Sequence, residues 1–300
     1  MRETKGSLRR GYVPFLVPGL VLLGVVVGIP FLTNVAVSFT RWTGVGWPRW
    51  IGLANYQKAF SDATFWASFQ NNVILILAVT VIPVLIGLAV AVLLYDVVSR
   101  RFGAGTAAVL KSGIYIPQVL PVAVAGIVWG WILDPAGVLN ASLRAAGLAG
   151  LTRSWLGDPA TALPSVMAMM VWFQLGYPLV IFMAAMQRID PQILEAAALD
   201  GARWHHRFRL VSHLIRPELL VVVLTTTIYA LKLFGPIYVL TRGGPGKATL
   251  VPSYFAYQNF FEKANVGYGS AISTLMTLII LALSVVFLRA QARQQREGEE

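Results

Sequence analysis

Six runs of mostly apolar residues, at about 13–37, 73–95, 111–133, 162–186, 219–240 and 270–288, constrain this chain more than any other feature. Each suffices to cross a bilayer core, which takes about 20 helical residues for roughly 30 Å of hydrocarbon. Lipid offers no partners to backbone N–H and C=O groups, so a spanning segment must be a helix or part of a closed barrel. Runs this long, without alternation, exclude a barrel. The expected fold is an all-α membrane protein with six transmembrane helices. Composition agrees: 57% of the 300 residues are apolar and 12% are charged, and the mean hydropathy is +0.68. No connecting segment is long enough for a soluble domain, which takes on the order of 100 residues.

The first run follows Arg9 and Arg10, as a signal peptide would. Its apolar core exceeds the roughly 7–15 residues of such a peptide and no small-residue cleavage site follows, so it is expected to be retained. The chain divides into a segment at 1–12, a six-helix domain at 13–288 and a tail at 289–300. Cysteine is absent, so neither disulfides nor thiolate metal sites contribute. No internal repeat or low-complexity linker stands out.

Basic residues set the expected orientation. With the N-terminus inside, the inner segments carry Arg2, Lys5, Arg9 and Arg10, then Arg100, Arg101 and Lys111. The loop at 187–217 adds Arg188, Arg203, Arg207, Arg209 and Arg216, and the tail adds Arg289, Arg293 and Arg296, fifteen in all. The outer segments carry eight: Arg41, Arg49, Lys58, Arg144, Arg153, Arg242, Lys247 and Lys263, with Lys232 inside a span. Positive charge accumulates on the cytoplasmic side, so both termini are expected in the cytoplasm. The net charge of +11 reflects this bias and attraction to anionic lipid. Nucleic acid is not an expected partner, for no basic soluble module is present.

One inner segment, Ile193–Leu219, reads "ILEAAALDGARWHHRFRLVSHLIRPEL" and holds all three histidines. Asp190-Pro191 is a helix start, strong helix formers follow, and Gly201 permits a turn. Trp204, Phe208, Val211 and Ile215 recur at spacings of four, three and four, the stripe of a second helix, which Pro217 closes. Such a helix could lie on the lipid surface, with its stripe down and its basic flank toward the headgroups. It could equally offer Trp204 and Phe208 to a protein, since large aromatic anchors dominate interfaces.

The residues "EAAALDG", Glu195 to Gly201, followed nine residues later by "VSHL", resemble the E-A-A-x-x-x-G-x(9)-I-x-L-P signature of permease subunits of binding-protein-dependent ABC importers. Val211 replaces the isoleucine, and His213 and Leu214 replace the leucine and proline. "LTRGGPGKATLVPSYFAYQNFFEKANVGYGSAIS", Leu240 to Ser273, resembles a segment of the sugar permeases related to the larger maltose-transport subunit. "SFTRW" at Ser38, "GLANY" at Gly52 and "WLGDPATA" at Trp155 are similar to further stretches of that branch.

The resemblance implies the type I importer permease fold and a multi-pass subunit of a bacterial or archaeal inner membrane. It implies as partners a second homologous permease, two ATPase subunits and an extracytoplasmic sugar-binding protein, with lipid around them. Glu195, Ala196, Ala197 and Gly201, with Trp204 and Phe208, would form the coupling helix that docks on the ATPase; Glu195 could also be a solvated carboxylate. Gly243, Gly244 and Pro245 are helix breakers and would shape a rigid surface for the binding protein, or simply an ordinary turn. The substrate implied is a disaccharide or small oligosaccharide, with a polyol phosphate, amino acid or peptide as the alternative.

No catalytic residue is expected. His205 and His206 are adjacent and diverge on a helix, a poor metal site, and no G-x-x-x-x-G-K-[ST] loop is present. ATP and magnesium would bind the partner subunits, leaving this chain without a cofactor. The acidic residues lie almost entirely outside the spans, which disfavours a proton-coupled carrier. A sugar path needs hydrogen-bonding and aromatic groups at membrane depth. Gln174 and Tyr177 in the fourth run and Tyr229 and Lys232 in the fifth meet that need. Gln174 and Tyr177 stand on one helix face, beside Gly176 and Pro178, where a helix loosens; they could also bond between helices. Trp129 and Trp131 suit the interfacial aromatic belt.

Overall fold

The computed structural model describes residues 15–297. The 1–12 segment, its basic residues and the last three residues of the tail lie outside them. Among the described residues, five helices are long and apolar enough to cross a membrane, and a sharply bent pair supplies a sixth crossing if counted as one span. Two compact units are distinguished: the chain up to Asp62 with Ala256–Leu275, and Ala63–Phe255 with the chain from Met276 onward.

In the first unit, α1 (Phe15–Ser38) is apolar on every face and none of its most apolar window is buried. Its wide π turn at Gly24–Gly28 directly precedes Pro30. Proline lacks an N–H and crowds the carbonyl four residues back, and a wider turn relieves both. A two-stranded ribbon follows, β1 (Thr40–Arg41) with β2 (Arg49–Trp50), antiparallel, and then α2 (Ala54–Ser61). Buried Asn55 holds the ribbon's entry by donating to the carbonyls of Ser38 at 2.9 Å and Thr40 at 2.8 Å. The first turns of α13 (Val266–Glu297) complete the unit. There a β-carbon on Gly267 would sit 1.9 Å from the Thr40 carbonyl oxygen, so only glycine fits. Tyr268 donates to Asp62 at 2.9 Å, with Lys58 4.2 Å from its ring centre.

The second unit is built on α3 (Ala63–Val98), 36 residues long and so longer than the second apolar run. Its π turn at Leu77–Val81 precedes Pro83, repeating the arrangement in α1. The third run is not one straight span: α4 (Ala104–Val119) and α5 (Val122–Ile132) meet at 95°. Pro121 forces Leu120 into the extended region, ψ 142°, and a residue held there cannot continue a helix.

After α6 (Val138–Ala145) comes α7 (Pro159–Met186). Asp158 caps α7 by accepting from Ala160 N–H at 2.9 Å. Two short helices follow, α8 (Pro191–Leu199) and α9 (Trp204–Leu214). The fifth run is also interrupted, because α10 (Arg216–Leu231) stops at Lys232–Phe234 and α11 (Gly235–Leu240) restarts with Pro236 in its first turn. α12 (Pro252–Tyr257) leads toward α13.

The core of this unit draws Val84, Leu88 and Val92 from α3, Leu179, Phe182 and Met186 from α7, Leu194 from α8, Val211 from α9 and Val222 from α10 into one cluster. Two close approaches set its spacing. A β-carbon on Gly87 would lie 2.9 Å from Cβ of Pro178, and one on Gly176 would lie 2.8 Å from Cα of Tyr115. The outward faces remain apolar, with Leu85, Ile86 and Leu93 of α3 exposed, which suits a lipid surround.

Candidate coupling segment and transport path

The 187–217 loop folds as two helices around one turn. Asp190 caps α8 by accepting from Gln192 N–H at 3.0 Å, as its sequence position predicts. Gly201 ends it with φ +71°, and Ala202 N–H reaches back to the Ala197 carbonyl at 2.9 Å, the bond of a left-handed C-terminal cap. A β-carbon on Gly201 would meet nothing within 4 Å. Glycine is therefore favoured here by the sign of φ and not by close packing.

The four-residue stripe on α9 splits in two. Val211 and Ile215 are buried in the chain's own core. Trp204 stacks on Phe208 with ring centres 5.4 Å apart and stays 49% exposed. Leu199 at the end of α8 is 89% exposed and Glu195 is exposed. The surface left for a partner is thus the corner where α8 turns into α9. Pro217 opens α10 rather than closing α9, since it stands in the first turn of the next helix.

Ion pairs help to fasten this segment. Arg188 pairs with Glu218 at the surface, and Arg207 pairs with Asp96 of α3 largely out of solvent. Sequence reasoning placed Arg207 on the basic flank and did not single out Asp96. The available signal was a lone acid in the apolar stretch "VLLYDVV", directly after the second apolar run. His205 and His206 lie ring to ring, centres 4.0 Å apart, and no metal-holding cluster occurs among the described residues.

The path candidates are only partly brought together. The hydroxyls of Tyr177 on α7 and Thr225 on α10 are 3.0 Å apart. Thr225 and Tyr229 share a face of α10, being four residues apart. Lys232 follows one turn on, exposed at the helix break, with its N–H on the carbonyls of Tyr229 at 3.2 Å and Ile228 at 3.3 Å. Gln174 is only 3% exposed, and its Oε1 finds no hydrogen-bond partner among the described residues, so its side chain is enclosed within the chain. Polar residues that sequence reasoning did not single out join α3 to α10: Asn72 donates to the Ala230 carbonyl at 3.1 Å, and the hydroxyls of Thr80 and Thr227 lie 3.5 Å apart. Breaks such as that at Lys232–Phe234 leave backbone groups open in the span, which is where transporter sites form; Gly235-Pro236 was its sequence signal.

The Gly243-Gly244-Pro245 turn is a tight knot. Gly243 has φ +78° and is buried, and a β-carbon on it would meet Leu250 at 2.9 Å and Tyr254 at 3.1 Å. Gly244-Pro245 is a cis peptide. Buried Thr249 donates to Thr241 Oγ1 at 2.7 Å and lies 2.8 Å from the Gly244 carbonyl. Asn71 at the start of α3 bonds the carbonyls of Lys247 and Leu250, both at 3.0 Å, and Lys247 reaches Thr64 at 2.7 Å. The glycines shape the loop, while Arg242, Gly246 and Lys247 carry its exposed surface.

The sequence pattern described as the binding-protein-dependent transport system inner membrane component matches residues 105–297, well over half of the chain. The chain belongs to this family. This permease is 35% identical over 278 residues to the probable ABC transporter permease protein PH1215 of Pyrococcus horikoshii, covering 91% of this chain and 93% of that one. It is 31% identical to AmyD of Thermoanaerobacterium thermosulfurigenes, a probable starch degradation products transport system permease protein, over 96% of this chain and 95% of that one. Its fold matches a chain of a bacterial alginate ABC transporter solved in complex with an alginate pentasaccharide-bound periplasmic protein. That match has a TM-score of 0.80 at 18% identity over 97% of this chain and 98% of that one. The expected permease fold is thereby shown.

Proposed function

We propose that this permease moves a disaccharide or small oligosaccharide, delivered by an extracytoplasmic binding protein, across the inner membrane. The observation that carries the reading is the similarity to AmyD, a permease for starch degradation products, along 96% of the chain. The site chemistry suits it: Tyr177, Thr225, Tyr229 and Lys232 offer hydroxyls, ring faces and a cation beside broken spans, as a polyhydroxylated ring requires.

The chain pairs with a second permease and two ATPase subunits, which hold ATP and magnesium, while this chain has no ATPase site. Both termini and the α8–α9 corner face the cytoplasm, in keeping with the excess of basic residues there. Glu195, Trp204 and Leu199 meet an ATPase, and the Arg242–Lys247 knot receives the binding protein on the opposite side. Closure of the ATPases moves the corner and reopens the path to the outside.

The complete complex, assayed for ATP hydrolysis with binding protein across a solute panel, tests this reading. Stimulation by a disaccharide or oligosaccharide is expected. Stimulation only by an amino acid, a peptide or a polyol phosphate would replace the sugar reading while keeping the importer.

A further inference from the structure

Two of the π turns, in α1 and at Leu77–Val81 of α3, are explained by the prolines behind them. The turn at Leu93–Val98 of α3 has no such proline, and it carries Asp96. π turns gather at functional positions. Here the widened turn presents its carboxylate to Arg207, 111 residues away on α9. The two side chains are 8% and 17% exposed, enclosed by Val92, Tyr95, Met186, Leu194 and Val211. Arg207 Nε is buried without a hydrogen-bond partner among the described residues.

An incompletely satisfied buried ion pair is a poor stabiliser, because apolar residues of similar volume hold two helices at least as well. What it supplies is register. Leu194, Val211 and Ile215, which also anchor this segment in the core, are apolar and can slide over α3 and α7; a charge pair in a fixed orientation cannot. The same α3 meets α7 at Gly87, nine residues or about 14 Å along the helix, where it presses on Pro178 and Leu179. Tyr177, hydrogen-bonded to Thr225, is the next residue.

We propose that Asp96 and Arg207 are positioning residues that lock the coupling segment to α3. Displacement of the α8–α9 corner is then delivered along α3, through the Gly87–Pro178 contact, to the broken part of α7 beside Tyr177. The proposal rests on the reading of this chain as the permease of an ATP-driven importer. It assigns the pair to transmission, not to assembly.

The test uses the complete complex in proteoliposomes and measures co-purified ATPase, basal hydrolysis, and sugar moved per ATP. A wild-type complex without binding-protein-stimulated uptake would refute the importer reading itself, independently of the pair. The double apolar variant Asp96→Leu/Arg207→Met is expected to assemble at wild-type yield and keep basal hydrolysis. Its sugar moved per ATP should fall by about tenfold, within the range by which residues lying between two sites alter their coupling. The exchange Asp96→Arg/Arg207→Asp should recover most of that loss. The chain has no cysteine, so Asp96→Cys/Arg207→Cys adds its only thiols; it should be uncoupled when reduced and recover when the two thiolates are joined by a short bis-methanethiosulfonate, each displacing a methanesulfinate from the reagent. The proposal is overturned if the apolar variant transports with wild-type stoichiometry, if it fails to assemble, or if crosslinking leaves the cysteine variant uncoupled.

Discussion

Tyr177 on α7 and Thr225 on α10 share a hydrogen bond of 3.0 Å between their hydroxyls, at the point where α7 loosens around Gly176 and Pro178. A tyrosine that served only to tie two helices would need its hydroxyl alone; one that also lines a sugar path needs its ring face. Tyr177→Phe removes the bond, about 0.5–1.5 kcal/mol, and should leave uptake within a fewfold of wild type. Tyr177→Ala removes the stacking surface as well and should reduce uptake by about tenfold or more, the loss of roughly 1–3 kcal/mol of ring contact, with assembly intact. Equal uptake in the two variants would count against a path role.

Lys232 sits exposed at the break between α10 and α11. An unpaired lysine at membrane depth costs about 2.5–3.5 kcal/mol on insertion scales. Lys232→Met should therefore raise the yield of folded permease while lowering sugar uptake. Normal uptake with raised yield would reduce Lys232 to a tolerated snorkelling side chain.

Gly87 faces Pro178 with no room for a β-carbon. Gly87→Val should push α3 from α7 at an overpacking cost of about 1–3 kcal/mol, read as a lower thermal midpoint of the purified complex. An unchanged midpoint would mean that the two helices separate freely.

At Gly201 the demand is conformational. Its φ of +71° costs an ordinary L-residue roughly 1–2 kcal/mol, and asparagine tolerates the region better than valine does. Gly201→Asn should keep most ATPase association, whereas Gly201→Val should insert normally and lose it. Since the site is open space, a large residue that adopts positive φ should be accepted; equal behaviour of Asn and Val would show that the turn is not held in the complex.

The spans were legible because crossing hydrocarbon takes a fixed length of apolar helix, whatever the rest of the fold does. Their breaks were less so. Pro121 and Gly235-Pro236 are plain in the sequence, but averaging apolarity over a span hides a single residue that redirects it. On α9 the four-three-four spacing identified a helix face, yet it could not tell Val211 and Ile215, which pack on the chain's own core, from Trp204, which remains outward. The same limit applies to Gln174: a polar residue at membrane depth reads alike whether it faces a path or, as here, the interior. Asp96 could be noticed as a lone acid in an apolar stretch, but its pairing with Arg207 could not, because nothing local signals a partner 111 residues away.

The most direct test of the central claim is sugar uptake into proteoliposomes by the complete complex, compared with this chain alone and with each partner omitted. The account predicts uptake only when the loaded binding protein, both permeases, the ATPases and ATP with magnesium are all present. It also predicts that a proton gradient drives none. Accumulation of sugar by this chain alone under a proton gradient, or by the complex without ATP, would contradict it.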